Sequence, residues 1–151
     1  MKDIVVRLIT AMLGTVGFAM LFRVSRKRLP WAALGGLLTW AVYELFTHLF
    51  GDPLISAFAS SLFMTLYSEA LARVLRAPAI IFLFPCAIPI VPGSGLYYTV
   101  YNLIFYNENA FFANAKTTLS IVLGMAVGMS VASIVVGALL HAVRTLKNIK
   151  S

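Results

Sequence analysis

Apolar residues run along the chain in five long blocks, and the charged residues collect in the gaps between them. The blocks cover 4–22, 31–50, 54–72, 77–107 and 117–143. A helix of about 20 apolar residues crosses a bilayer, so the pattern predicts an all-α fold, a polytopic transmembrane helix bundle with about five crossings. All of 1–151 is then one integral membrane domain. The first block follows Met1-Lys2-Asp3 in the manner of a signal peptide, yet it reaches Phe22 with no small-x-small cleavage site and runs into basic residues. It is read as a retained span. Gly51-Asp52-Pro53 is a tight turn, so the second and third helices are expected to pack antiparallel. The fifth block is longer than a crossing needs, and tilt can absorb the excess.

The fourth block departs from this regularity. Pro78, Pro85, Pro89 and Pro92 lead into Gly93, Ser94 and Gly95. Each proline removes a backbone donor, and Pro92-Gly93 favours a turn over continued helix. Broken backbone at membrane depth is tolerated where it is buried in protein or lines a wet cavity. Pro85, Pro89 and Pro92 are expected to end a first half-helix, and Ser94 to cap a second that starts near Leu96. The positive end of that second helix suits a carboxylate. Its Tyr98, Asn102 and Tyr106 recur every four residues and form one stripe. The stripe either lines a pathway or belongs to an aromatic belt at the outer interface.

Composition supports the membrane assignment and narrows the partners. The chain is 61% hydrophobic and 11% charged, with a mean hydropathy of +0.93. A soluble domain of this length could not bury that much apolar surface, so the first partner is the lipid bilayer. The net charge of +7 comes from basic residues in short gaps, the distribution of cytoplasmic loops, so nucleic acid is not expected as a partner. If the fourth block crosses, Arg23, Arg26, Lys27, Arg28, Arg73, Arg76, Arg144, Lys147 and Lys150 lie inside, against Lys2, Arg7 and Lys116 outside. If it re-enters, the split is seven against five. The crossing arrangement has the stronger bias, giving an external N-terminus and a cytoplasmic C-terminus in a bacterial inner membrane. Five spans also match half of an inverted-topology transporter.

Ionisable residues inside spans are candidates for function. Glu44 lies within the second block with His48 one helical turn on, and Trp40, Glu44 and His48 share a face. The pair either relays a proton or is a hydrogen-bonded pair near the outer boundary. Glu69 shares a face with Ser61 and Thr65, which either lines a cavity or merely pairs with Arg73 at i+4. Ser120, Gly124, Gly128 and Ala132 fall at four-residue intervals and form a groove for close helix packing, within the chain or against a partner. Cys86 has no second cysteine to pair with and reads as a small buried apolar residue. No metal is expected, because the histidines and the cysteine do not complete a ligand set. No cofactor is expected either. Phosphate-loop and nucleophile-elbow motifs are absent, so the chain is not read as an enzyme.

The run Ile88-Pro89-Ile90-Val91-Pro92-Gly93-Ser94-Gly95-Leu96-Tyr97-Tyr98 resembles the C-terminal membrane half of the threonine/serine exporter family, which also occurs as a separate small subunit. The resemblance implies export of threonine and serine, or of a small dicarboxylate such as succinate in split systems, coupled to the proton gradient. It also implies a larger membrane subunit of the same family as partner, a homo-oligomer being the other assembly. Pro92, Gly93, Ser94, Gly95, Tyr98 and Asn102 are the candidate substrate-binding residues, and Glu44, His48 and Glu69 the candidates for proton coupling; both sets rest on the residues alone. A scaffold subunit that never meets substrate, and a pore-forming channel, are the alternatives.

Overall fold

A chain in lipid must satisfy its own backbone N–H and C=O groups, and helices do this within a single segment. In the computed structural model, which describes residues 2–105 and 107–149, the helices are α1 (Lys2–Leu21), α2 (Leu29–Phe50), α3 (Pro53–Val74), α4 (Ile80–Ala87), α5 (Gly93–Ile104) and α6 (Glu108–Ile149). A 3₁₀ turn at Ile88–Ile90 follows α4. The fold is all-helical, as the block pattern requires. By length and composition α2, α3 and α6 are each sufficient to cross a bilayer. The pair formed by α4 with its 3₁₀ turn and α5, bent by 50°, is apolar enough for a broken span or a re-entrant loop. α1 contributes a shorter apolar stretch, Val5–Leu21. Tyr106 and Lys150 lie outside the described residues, as do the side chains of Lys2, Asp3, Arg144 and Lys147.

The ends of the helices follow local chemistry. Gly51 ends α2 at φ +66°, a left-handed conformation open to glycine without a Cβ penalty. The Asp52 carboxylate then accepts the Leu54 N–H at 2.8 Å, and Pro53 opens α3. α1 and α3 end alike. Arg23 and Arg76 take positive φ, and the next residue's amide reaches back five positions, Val24 to Ala19 O and Ala77 to Ala72 O, both at 2.9 Å. These are Schellman-type closures with arginine where glycine is usual.

The break in the fourth block differs from the sequence expectation in two details. Pro85 does not end the first half-helix: α4 runs through it to Ala87, and the path changes only at Pro89 and Pro92. The residue before a proline is driven toward extended backbone, and Val91, with ψ 123°, shows this. Ser94 is not the cap of the second half-helix. Pro92 is the last non-helical residue, so α5 starts at Gly93 with no side-chain cap. A third difference lies in α6, whose start precedes the predicted fifth block because Asn107 caps it, its side-chain oxygen accepting the Ala110 N–H at 3.3 Å. Its 42 residues span roughly 63 Å at about 1.5 Å per residue, twice the hydrocarbon thickness.

Small and hydroxyl-bearing side chains fill the interior, while many large apolar ones face outward toward lipid. Thr15, Thr39, Ser56, Ser60, Ser61, Thr65 and Ser68 are buried, whereas Leu13, Leu21, Leu49, Val74 and Ile134 are exposed. Without a hydrophobic drive between helices in lipid, close approach and dispersion hold the bundle, and small residues permit that approach. Most hydroxyls are satisfied locally, as in Thr39 to Gly35 O and Thr65 to Ser61 O, both 2.8 Å. α3 packs against α2 on one side and α6 on another. Gly124, Gly128 and Ala132 of the predicted groove are buried, and the groove is used within the chain. A Cβ on Gly124 would meet the Leu54 carbonyl and Ala57, and one on Gly128 the Ser61 hydroxyl and the Phe58 carbonyl. Ser120 is half-buried at the end of this row. α4 and its 3₁₀ turn lie against α1, α2 and α3, with the buried Cys86 thiol 3.7 Å from the Ala32 carbonyl. α5 packs on α6 and buries none of its residues.

Gly128→Leu is expected to separate α3 from α6 and to cost about 1–3 kcal/mol, the usual range for overpacking. Thermal unfolding in detergent should show the loss, while Gly137→Ala, with no atom within 4 Å of the added Cβ, should melt like the parent.

Candidate functional site

The bend between α4 and α5 opens a cavity of about 340 Å³, within the roughly 300–1,000 Å³ range of small-molecule sites. Three elements form its walls. The break supplies Pro89 to Pro92, then Ser94, Gly95 and Tyr98; α2 supplies Trp40 and Tyr43; α6 supplies Asn114, Thr117, Thr118 and Ile121. The broken backbone therefore lines a cavity, one of the two situations in which lipid-depth breaks are tolerated.

The polar groups here are nearly all neutral, and donors stand out among them. The Trp40 indole Nε1 and the Thr118 hydroxyl are buried with no hydrogen-bond partner among the described residues, and Thr118 is 6% exposed. Leaving such groups unmade costs about 1–3 kcal/mol each, and both residues line the same cavity. The first turn of α5 adds backbone donors. The Gly93 N–H already donates to Val91 O at 2.8 Å, and helical bonding begins with Leu96 N–H to Pro92 O at 3.0 Å. With no side-chain cap, the Ser94 and Gly95 amides are therefore the donors left at the positive end of the helix dipole. Gly95 is needed for this geometry, because a Cβ there would meet the Thr118 hydroxyl. Asn114 donates its Nδ2 to Ala110 O at 2.8 Å, which leaves its carbonyl oxygen as an acceptor. No acidic or basic side chain lines this cavity.

The predicted residues divide by location. Pro92, Ser94, Gly95 and Tyr98 line the cavity, with Gly93 beside them in the first turn of α5. Asn102 is half-buried one turn beyond Tyr98 and lines a separate cavity of about 140 Å³ with Leu103, Glu108 and Phe111. Another face of α5 carries a row of aromatic rings, Tyr97, Tyr101 and Phe105, at 6.1 and 4.5 Å between successive centroids. All three are exposed.

Glu44 is one turn beyond Trp40, with 15% of its side chain exposed. Its carboxylate lies 3.5 Å from Arg7 Nη1 of α1 and 3.8 Å from His48 Nε2. Glu69, at the far end of α3, pairs with Arg73 at 3.2 Å and lines none of these cavities. Its face-mates Ser61 and Thr65 are buried in packing, with Ser61 Oγ 3.5 Å from the Gly124 carbonyl.

Asn114, Thr117 and Thr118 were not singled out by the sequence. Their signal is modest: polar residues at i, i+3 and i+4 just ahead of an apolar run, facing a partner that only the folded chain supplies. Arg7 was counted for orientation and not for chemistry, since its contact with Glu44 joins two different helices. Among the described residues no cluster of three metal-ligating side chains occurs.

Neither a curated protein nor a solved structure matches the chain. A family model described as Threonine/Serine exporter, ThrE, matches residues 7–135. That range takes in α2 to α5 whole, most of α1, and α6 through Gly124, Gly128 and Ala132, so every wall of the cavity lies within it. The chain is a multi-pass membrane protein and belongs to the threonine/serine exporter family.

Proposed function

We propose that this chain is a membrane subunit of a secondary exporter for small carboxylate-bearing metabolites, threonine and serine or a dicarboxylate such as succinate, coupled to the proton gradient. The substrate is met in the cavity at the α4–α5 break, its carboxylate facing the start of α5 with Trp40 Nε1 and Thr118 as further donors. The observation that carries this reading is the pair of buried, unpartnered polar groups in the same cavity as an uncapped helix start. Neutral donors suit a carboxylate that must later leave, since a fully buried ion pair would hold it tightly.

Glu44 is the proposed proton carrier, with His48 beside it. It is the acidic residue closest in sequence to the cavity wall at Trp40 and Tyr43, and it is only partly shielded. A larger membrane subunit of the same family is the proposed partner. The exposed faces of α5 support this, because a half-helix that forms one wall of a transport site and rests on α6 leaves room for a second body. The bias in basic residues supports an external N-terminus and a cytoplasmic C-terminus in a bacterial inner membrane.

Proteoliposomes containing this chain and its larger partner are expected to release loaded threonine or succinate at a rate that depends on the pH difference across the bilayer. Glu44→Gln should abolish that dependence; a rate still responding to the gradient would remove Glu44 from the coupling. Gly95→Ala is expected to lower transport on the order of tenfold, the effect of one lost hydrogen bond of about 1.4 kcal/mol, with a smaller loss of melting temperature than Gly128→Leu. If Trp40→Phe and Thr118→Val both transport at the parent rate, the chain acts as a scaffold and the substrate is bound elsewhere.

A further inference from the structure

Beside the proposed substrate cavity lies a second one of about 220 Å³, lined by Arg7, Thr10, Ala11, Trp40 and Pro89. Trp40 and Pro89 line both cavities, so these two side chains are the partition between them. Arg7 is the one basic residue on the walls of either. Its tie to Glu44 is loose. At 3.5 Å it is a longer contact than the 3.2 Å pair of Arg73 and Glu69, which is hydrogen-bonded as well. The arginine side chain is 60% exposed and the glutamate 15%, so the cation has open space around it and the anion is the more enclosed partner. A guanidinium offers five donors in a planar fork and can serve two carboxylates in turn.

We infer that Arg7 is an anion-binding residue of the transport site, shared between Glu44 and the carboxylate of the substrate. While Glu44 is ionised it holds Arg7. When Glu44 takes up a proton the attraction is lost, and Arg7 turns to the Trp40–Pro89 partition to meet an anion in the larger cavity. This rests on the larger cavity being the substrate site. Protonation of Glu44 and binding of the anion then favour each other, and by reciprocity each raises the affinity for the other. The sign is fixed by the competition: an ionised Glu44 opposes anion binding and a protonated one does not, so affinity for the anion rises as pH falls.

The other groups facing Glu44 are His48 and Tyr43 on α2 itself. Asp3 stands one turn before Arg7 on α1. Among the described residues no side chain of α3 or α4 forms an ion pair with Glu44. A protonated His48 would steady the Glu44 anion and oppose the effect, so the test is made in a His48→Gln background.

The test is initial-rate transport of threonine and of succinate by the two-subunit complex in proteoliposomes, with KM and kcat measured separately from about pH 8 to about pH 4, around the ordinary glutamate value. KM is expected to fall at the acid end of this range in the His48→Gln background. Adding Glu44→Gln should fix KM at its low value across the range. The neutral pair Arg7→Gln with Glu44→Gln leaves no uncompensated charge in the membrane and should raise KM about tenfold with kcat less affected; a parent-like KM there would overturn the role of Arg7. Arg7→Lys should recover part of the affinity. The exchanged pair Arg7→Glu with Glu44→Arg rebuilds the ion pair in reverse and should stay defective in KM, and full recovery would show that the pair is merely structural. A parent-like KM in Trp40→Phe and Thr118→Val would instead bring down the underlying site assignment, a result distinct from any outcome at Arg7.

Discussion

How closely α6 can lie on α3 decides most of what surrounds the cavity. In lipid the apolar surfaces of two helices gain nothing by leaving the solvent, so contact depends on close fit. Gly124 and Gly128 remove the side chains that would hold the helices apart, and α3 answers with Ala57 and Ser61 at the same level. The polar residues Asn114, Thr117 and Thr118 sit two or three turns before these glycines on the same long helix. Seating α6 on α3 therefore also sets where the Thr118 hydroxyl stands relative to the start of α5. α5 itself, resting on α6, takes its position from the same contact.

The bend at the fourth span is the second constraint, and it converts a local defect into a site. The prolines act in sequence: Pro85 is carried within α4, Pro89 falls in the 3₁₀ turn, and Pro92 forces Val91 extended. The result is a helix start without a side-chain cap, placed opposite a tryptophan and a threonine that also lack partners. Each of these would be unfavourable alone. Gathered around one cavity in a member of an exporter family, they are the donors on which the proposed carboxylate site rests. Charged groups are kept one layer back, in the Arg7, Glu44 and His48 cluster behind the Trp40–Pro89 partition.

Much of this was legible from residue order, for a physical reason. Five apolar blocks became the helical framework, Gly51-Asp52-Pro53 became the predicted turn, and two members of the four-residue row, Gly124 and Gly128, lie close against α3. Periodicity reports on one helix at a time, and these features need no more than that. The family resemblance at Ile88 to Tyr98 lies inside the range that the family model matches. Where local signals compete, sequence was a poorer guide. Ser94 has the chemistry of a cap, but Pro92 set the helix start one residue before it could act.

What the sequence determined by itself is the class of the molecule: a chain whose solvent is lipid, built of helices, with one span broken by prolines and glycines at a stated place. Only the tertiary structure decided which side chains face that break. Trp40, Tyr98 and Thr118 come from three helices, and Arg7 meets Glu44 across two more faces. Asn102, on the same stripe as Tyr98 but one turn further along α5, falls to a different cavity, walled by the start of α6 at Glu108 and Phe111. Spacing along a helix states which residues share a face. What that face meets is set by the packing of the other helices, which no single segment contains.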